Sequence, residues 1–387
     1  MKTIAIGVAG LGRAFSLMAP TLAGDARVRL VAGADTRPEA RQRFEADFQG
    51  RAYPTVEELC ADPQVEVVYV ATPHQFHAAH AALAAATGKH VLVEKPMALS
   101  LAECAAMTAA ARAHGVHLIV GHSHSFDAPV ALARQLIEGG AYGRLRMITA
   151  VNFTDFLYRP RRPEELDTSR GGGVVFNQAA HHVDIARLLG GSRVKSVRAH
   201  TGAWDPARPT EGAYSVLLTF EDGTFASLVY SGYAHFDSDE FCDWIGESGQ
   251  RKDPRAYGAA RRMLSGDEMA LKSARNYGGA GFASAQANLL HQHFGLLIAS
   301  CERADLRALP QGVMIYADAE SRLEPLAAPK VQRAEVIDEL HAAVVDGKPP
   351  RHDGDWGAAT LEVCLAILRS AREDREIALQ DQTALRT

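Results

Sequence analysis

Up to about residue 121 the chain alternates two textures. Short runs of consecutive apolar residues at 3–9, 28–34, 65–71, 90–94 and 117–120 read as strands buried on both faces. Between them lie alanine-rich stretches near 15–23, 38–48, 77–86 and 101–114 that read as helices, with Gly88 and Gly115 just past two of their ends. Strands alternating with helices in this way predict a doubly wound parallel sheet. Beyond about residue 145 the strands lengthen. Those at 145–153, 194–201, 214–220 and 224–230 look antiparallel, and Glu221-Asp222-Gly223 is a good hairpin turn between the last two. Residues 248–288 are polar and rich in Gly, Ala and Arg, and read as a helical excursion or mobile flap. Helices over 331–346 and 356–372 close the chain.

Composition narrows the function mainly by exclusion. A chain of 387 residues has room for two domains with real cores, and 47% apolar with 22% charged residues is ordinary for a globular protein. A net charge of −5 argues against nucleic acid or an anionic membrane as partner. The five cysteines at 60, 104, 242, 301 and 364 are scattered, which suits reduced thiols in a cytoplasm and offers neither a zinc nor a disulfide framework. The apolar run after Met1-Lys2 lacks a small-residue cleavage site and is interrupted by Arg13, so it reads as a first strand rather than a secretory signal. No stretch has the length of a charge-free membrane span, and a cytoplasmic location is expected.

The most informative stretch is Val91-Leu92-Val93-Glu94-Lys95-Pro96-Met97. Three apolar residues that stop at Glu-Lys-Pro read as a buried parallel strand, and proline cannot extend the ladder. Ligands of open α/β sheets bind outside such carboxyl ends, so Lys95 is held where a cofactor would lie. Gly10-Leu11-Gly12 follows the first strand and opens a helix that begins with Arg13 and Ala14. Gly10 permits the tight turn, and Gly12 lets the backbone approach a pyrophosphate at the helix amino terminus. The third position of this fingerprint is Phe15, which predicts looser or differently shaped packing there. Asp35 ends the second strand, where a carboxylate binds a ribose diol and repels a 2′-phosphate. That favours NAD, while Arg37 keeps NADP open. Thr72-Pro73-His74 closes a further strand with His77 one turn on, so His74 or His77 is placed towards the nicotinamide side.

A second constellation lies downstream. Gly171-Gly172-Gly173 introduces a helix carrying Asn177, His181 and Asp184 at i, i+4 and i+7, on one face, where they suit substrate hydroxyls. His182 points elsewhere and reads as structural. The Glu-Lys-Pro strand end after a nucleotide fold, then the triple glycine and the Asn-x-x-x-His helix, resembles the glucose–fructose oxidoreductase / inositol dehydrogenase family over nearly the whole chain. That resemblance implies an α/β architecture: an amino-terminal Rossmann domain (1–123), then a carboxyl-terminal α+β domain (124–387) with a large open, mostly antiparallel sheet. It also implies a hydride-transfer site between the domains and a homo-oligomer, dimer or tetramer, formed through the sheet. Lys95 takes the place of the family's acid/base lysine, with Glu94 beside it at the cofactor, and His181 that of its helix histidine. The family's aspartate four residues earlier is Asn177 here, which moves the burden to Lys95 and His181.

Longer strings narrow the resemblance. GVAGLGRAF (7–15), PHQFHA (73–78), GHSHSFD (121–127), NFTDFLYRPRRPEEL (152–166), FNQAAHHVDI (176–185) and WDPARPTEGAYS (204–215) are similar to the branch of that family that oxidises phthalate 4,5-cis-dihydrodiols. Such a dicarboxylate needs cations, and Arg159, Arg161 and Arg162 cluster in a loop stiffened by Pro160 and Pro163. His122 and His124 are assigned to the substrate cleft. The histidine pairs 122/124, 181/182 and 291/293 lack a third ligand at fixed spacing, so no metal is expected. The chemistry implied is NAD-dependent oxidation of a diol: Lys95 takes the hydroxyl proton, His181 hydrogen-bonds the same or the neighbouring hydroxyl, and Asp184 orients it. A sugar or cyclitol dehydrogenase of the same family, or a nucleotide-sensing regulator on the same fold, are the alternatives. A regulator would need neither Lys95 nor His181.

Overall fold

The computed structural model describes residues 2–264, 266–281 and 290–386. In its first part, parallel strands β1 (Ile4–Ala9), β2 (Val28–Ala34), β3 (Arg51–Tyr53), β4 (Val67–Val70), β5 (His90–Val93) and β6 (Leu118–Val120) form a sheet in the order β3-β2-β1-β4-β5-β6. The connecting helices are α1 (Arg13–Gly24), α2 (Pro38–Phe48), α3 (Val56–Ala61), α4 (His77–Ala86) and α5 (Leu101–Ala113). The patterning located the long elements. It missed β3 and α3, which are three and six residues long, too short for a period to show. Every residue of β1 and β4 is buried, which is why these strands read as unbroken apolar runs.

Packing at Phe15 is not loose. The ring is fully buried and meets Phe44 at 6.2 Å, Phe48 at 6.1 Å and Tyr277 edge-on at 4.9 Å between centroids. Room for the cluster comes from β2, where a Cβ at Gly33 would lie 3.1 Å from the Phe44 ring. Tyr277 is tethered by its hydroxyl, which donates to Asp47 at the end of α2 (2.8 Å).

The second sheet runs β14-β13-β12-β11-β7-β10-β9-β8-β15. Its strands are β7 (Leu145–Phe153), β8 (Val194–Gly202), β9 (Ala213–Phe220), β10 (Phe225–Ser231), β11 (Leu296–Cys301), β12 (Ala304–Leu309), β13 (Gly312–Ala317), β14 (Ser321–Pro325) and β15 (Ile377–Ala378). Neighbours are antiparallel except β7 and β10, so the sheet is mixed. Strands β11 to β14 went unforeseen, and β14 is largely exposed, with no apolar face to read. Helices α6 (Ala128–Glu138) and α7 (Ala180–Gly190) pack on this sheet.

The chain separates into two compact units. One takes the chain up to His122, a segment beginning at Met269, and Val331–Leu361; the other takes Ser123–Glu268, the strands of 296–325, and the chain from Glu362 onward. A single boundary after residue 123 is thus too simple: the helix Ala334–Val344 returns to the first unit, where Asp338 pairs with Arg27 at 2.6 Å. In the 248–288 segment, helices form over Ala259–Met263 and Glu268–Ala274, while residues 265 and 282–288 lie outside the described residues. Part of the segment is pinned to its own unit, since Arg208 grips Glu268 with two hydrogen bonds (2.6 and 3.0 Å). No helix among the described residues is long and apolar enough to cross a membrane.

Phe15→Ala is expected to cost about 3–5 kcal/mol, the range for emptying a buried aromatic site. Chemical denaturation reads it; a loss under 1 kcal/mol would mean that the cluster does not anchor α1.

Candidate active site

In the first unit, register brings the site residues to one rim. Ala9 lies opposite both Ala34 and Val70, Val70 opposite Val93, and Val93 opposite Val120. The strands therefore end level, and Gly10, Asp35, Thr72 and Lys95 emerge within two residues of that line. Gly10 has φ +94°, and a Cβ there would sit 2.8 Å from the Ala71 carbonyl oxygen. Gly12, by contrast, faces open space. It precedes α1, which has no side-chain cap and opens with Arg13 and Ala14. A bare backbone turn, open space and uncapped helix N–H groups together fit a diphosphate.

Asp35 and Arg37 were read as rivals over the coenzyme; the structure makes them partners. The Asp35 carboxylate accepts the Leu11 N–H (2.9 Å) and the Arg37 N–H (2.9 Å), and the Arg37 guanidinium reaches it at 3.0 Å. Arg37 also donates to the Leu11 carbonyl (2.8 Å), so the pair buttresses the glycine turn.

Thr72 and Pro73 lead from β4 into a short turn of helix that begins at half-buried His74. His77 does not face a nicotinamide. It is fully buried, with one ring nitrogen 3.0 Å from the Pro96 carbonyl and the other 2.9 Å from the Thr72 carbonyl, and burial lowers its pKa. Glu94 likewise turns inward, accepts the Tyr69 hydroxyl at 2.5 Å, and has its pKa raised by burial. Both residues were expected at the cofactor; both instead hold the backbone on either side of half-buried Lys95.

In the second unit, α7 is preceded by a π-helical turn, Val175–Ala179, a feature common at functional sites. Asn177 does not simply share a face with His181. Its amide donates to the carbonyls of Gly173 (2.8 Å) and Gly171 (3.3 Å), tying the glycine loop to the helix. A side chain at Gly173 would run into the Glu211 carboxylate, which accepts the Val175 N–H at 3.1 Å. Glu211 carried no sequence signal. His181 is buried, with Nδ1 3.4 Å from both the Ser123 hydroxyl and the His124 N–H. Donors at Nδ1 make it the acceptor, which puts the proton on Nε2 and makes that nitrogen a hydrogen-bond donor. Asp184 accepts the Ser125 hydroxyl at 2.5 Å and so fixes the 123–127 turn to α7. His182 meets the Tyr214 hydroxyl at 2.9 Å, and burial drives its pKa down to about 3.

His124 was expected to bind substrate, but its nitrogens serve the protein. Nδ1 lies 2.6 Å from Asp127 and Nε2 3.3 Å from Glu247, while the ring stacks on Phe294 and stands edge-on to His181. Burial opposes its charge, yet Asp127 and Glu247 outweigh burial and push its pKa up to about 9. Glu247 also faces Arg159 (3.5 Å), which pairs with Asp155 at 2.7 Å. Arg162 pairs with Glu164 and Glu165 at 3.2 and 3.5 Å. The arginine loop is therefore not three open cations. Arg161 differs: its guanidinium donates to the Phe156 carbonyl, and its nearest carboxylate among the described residues is Glu165, at 3.8 Å.

A nucleotide-binding sheet and a second unit with a buried histidine define an oxidoreductase architecture, and comparison with known proteins agrees. Residues 4–122 match the oxidoreductase family with an NAD-binding Rossmann fold, and residues 130–251 match the GFO/IDH/MocA carboxyl-terminal domain. The 1-carboxy-3-chloro-3,4-dihydroxycyclohexa-1,5-diene dehydrogenase of Comamonas testosteroni is 48% identical over 377 residues, 95% of each chain. A solved structure from Bordetella bronchiseptica RB50 has 43% identity and a TM-score of 0.93, covering 98% of this chain and 100% of that one. Inositol 2-dehydrogenase of Rhizobium meliloti is 29% identical over 251 residues, 64% of this chain and 74% of its own. The chain belongs to the Gfo/Idh/MocA family of oxidoreductases, and its cofactor is NAD.

Two predictions follow from the paired charges. Asp35→Ala removes the carboxylate expected at the ribose diol and releases Arg37, so NAD should bind more weakly and NADP relatively better; titration with both coenzymes reads this, and an unchanged ratio would remove Asp35 from the site. His124 titrates near 6.5 when unfolded and near 9 when folded. Its stabilising contribution is thus complete below pH 6.5 and lost as pH rises through 9. Urea midpoints should fall over that window in the parent and much less in His124→Asn.

Proposed function

We propose that the protein oxidises a carboxylated cis-dihydrodiol, with 4,5-dihydro-4,5-dihydroxyphthalate the foremost candidate, to the aromatic diol 4,5-dihydroxyphthalate. The observation that carries this reading is the Comamonas relative: it matches end to end, and its name describes a ring diol bearing a carboxylate. Arg161, whose guanidinium has its nearest carboxylate among the described residues, Glu165, at 3.8 Å, supports a substrate of that charge.

When bound, the nicotinamide ring supplies the two-electron acceptor. Lys95, fixed between the Glu94 and Pro96 anchors, takes the hydroxyl proton as the carbon gives up its hydride. His181 presents Nε2–H to a substrate hydroxyl oxygen. His181 acts as the hydrogen-bond donor, which leaves the base role to Lys95. The hydroxyketone then tautomerises to the catechol, and aromatisation drives the reaction. The outer face of the second sheet, where Leu217 and Phe225 are exposed, is our proposal for a homo-oligomer contact.

Incubating the protein with NAD and a panel of dihydrodiols, cyclitols and sugars while following NADH absorbance tests the reading. Turnover of neutral polyols in preference to carboxylated diols would defeat it. Lys95→Met should lower turnover by about 10²–10⁴, the usual share of a general base, with NAD affinity within a few-fold; near-normal turnover would make Lys95 a strand-end residue only.

A further inference from the structure

We propose that Arg161 receives a carboxylate of the substrate, through the end-on edge of its guanidinium. The proposal rests on the reading of the substrate as a carboxylated diol. Of the loop's three guanidiniums, Arg159 and Arg162 have carboxylates at 2.7 and 3.2 Å. Around the Arg161 guanidinium the nearest carboxylate oxygen among the described residues is that of Glu165, at 3.8 Å, outside hydrogen-bond reach. Yet its side chain is only 10% exposed. A cation so enclosed normally has a close counter-ion, because leaving water without one is costly. Burial accordingly draws its pKa down to about 10, and Glu165 is too far away to restore it.

The geometry says which edge is open. Nε and Nη2 both donate to the Phe156 carbonyl, at 3.1 and 2.6 Å, which uses the side edge of the fork. The guanidinium carbon lies 3.6 Å over the Phe156 ring, so one face is covered as well. Among the described residues Nη1 makes no hydrogen bond, and its nearest carboxylate oxygen is that of Glu165 at 3.8 Å. The Nη1–Nη2 edge therefore remains, and it matches a carboxylate in bidentate fashion. The carbonyl and the ring hold the fork still, so little freedom is lost on binding. The main chain is fixed too, since the Arg161 N–H donates to Glu268 at 3.0 Å.

The test compares the NADH-loaded protein with its Arg161→Gln and Arg161→Lys variants. Calorimetry measures binding of phthalate and of neutral benzamide; steady-state rates with NAD compare a carboxylated with a carboxylate-free cis-dihydrodiol. Arg161→Gln should lose about ten- to hundredfold in phthalate affinity and in kcat/KM for the carboxylated diol, the scale of a charged hydrogen bond. The carboxylate-free diol should change less than about threefold. Arg161→Lys keeps the charge without the fork and should fall between; it reads the same ratio if the Gln variant does not fold. Variants that bind phthalate as the parent does, or that lose both diols equally, overturn the assignment and leave the dehydrogenase reading intact. Arg161-dependent phthalate binding in a protein that oxidises no dihydrodiol would do the reverse.

Discussion

The nucleotide half depends on one constraint: four parallel strands that end level. Parallel pairing sets Ala9, Ala34, Val70 and Val93 in a row, and the next one or two residues of each strand become the rim. A slip of one residue in any strand would turn its side chains to the opposite face and carry its rim residue out of line. The order reverses between β1 and β4, where a crevice opens for a ligand. The supports then have a clear logic. The Asp35–Arg37 pair braces the glycine turn, Tyr69 holds Glu94, and His77 spans the Thr72 and Pro96 carbonyls, so Lys95 is presented from a backbone held on both sides.

In the second unit the governing cost is buried charge. Asp127, His124, Glu247, Arg159 and Asp155 alternate in sign, so each group has an opposite charge beside it. This chain fixes the turn that supplies the Ser123 hydroxyl and the His124 N–H to His181, and so selects its tautomer. Charge compensation also sorts the arginine loop. Positive residues close together in sequence look equivalent, but each is worth to a ligand only what the protein's own carboxylates leave uncompensated.

Elements and chemistry were legible to different degrees. Long apolar runs and alanine-rich periods placed β1, β2, α2 and α4 within a residue or so, because burial on one or both faces writes itself into the pattern. Gly10, Asp35 and Lys95 were also placed at strand ends by the pattern, and the strand register puts each within two residues of the rim. Short or exposed elements were not legible, as β3 and β14 show. The π-helical turn was invisible as well, because five residues carry no periodicity of their own.

By itself, then, the sequence determined the fold class, the nucleotide rim and which side chains were candidates for the chemistry, all of which follow from local pattern and residue chemistry. Tertiary structure alone decided what those side chains are free to do. His77, Glu94, Asn177 and His124 look like ligand contacts in one dimension, yet each is turned to a carbonyl, a hydroxyl or a carboxylate of the chain. Glu211 and Glu247 carried no signal at all, although they brace the glycine loop and clamp His124. The reason is physical: a polar group's role depends on the partner it meets after burial, and such partners stand as far apart in the chain as His124 and Glu247.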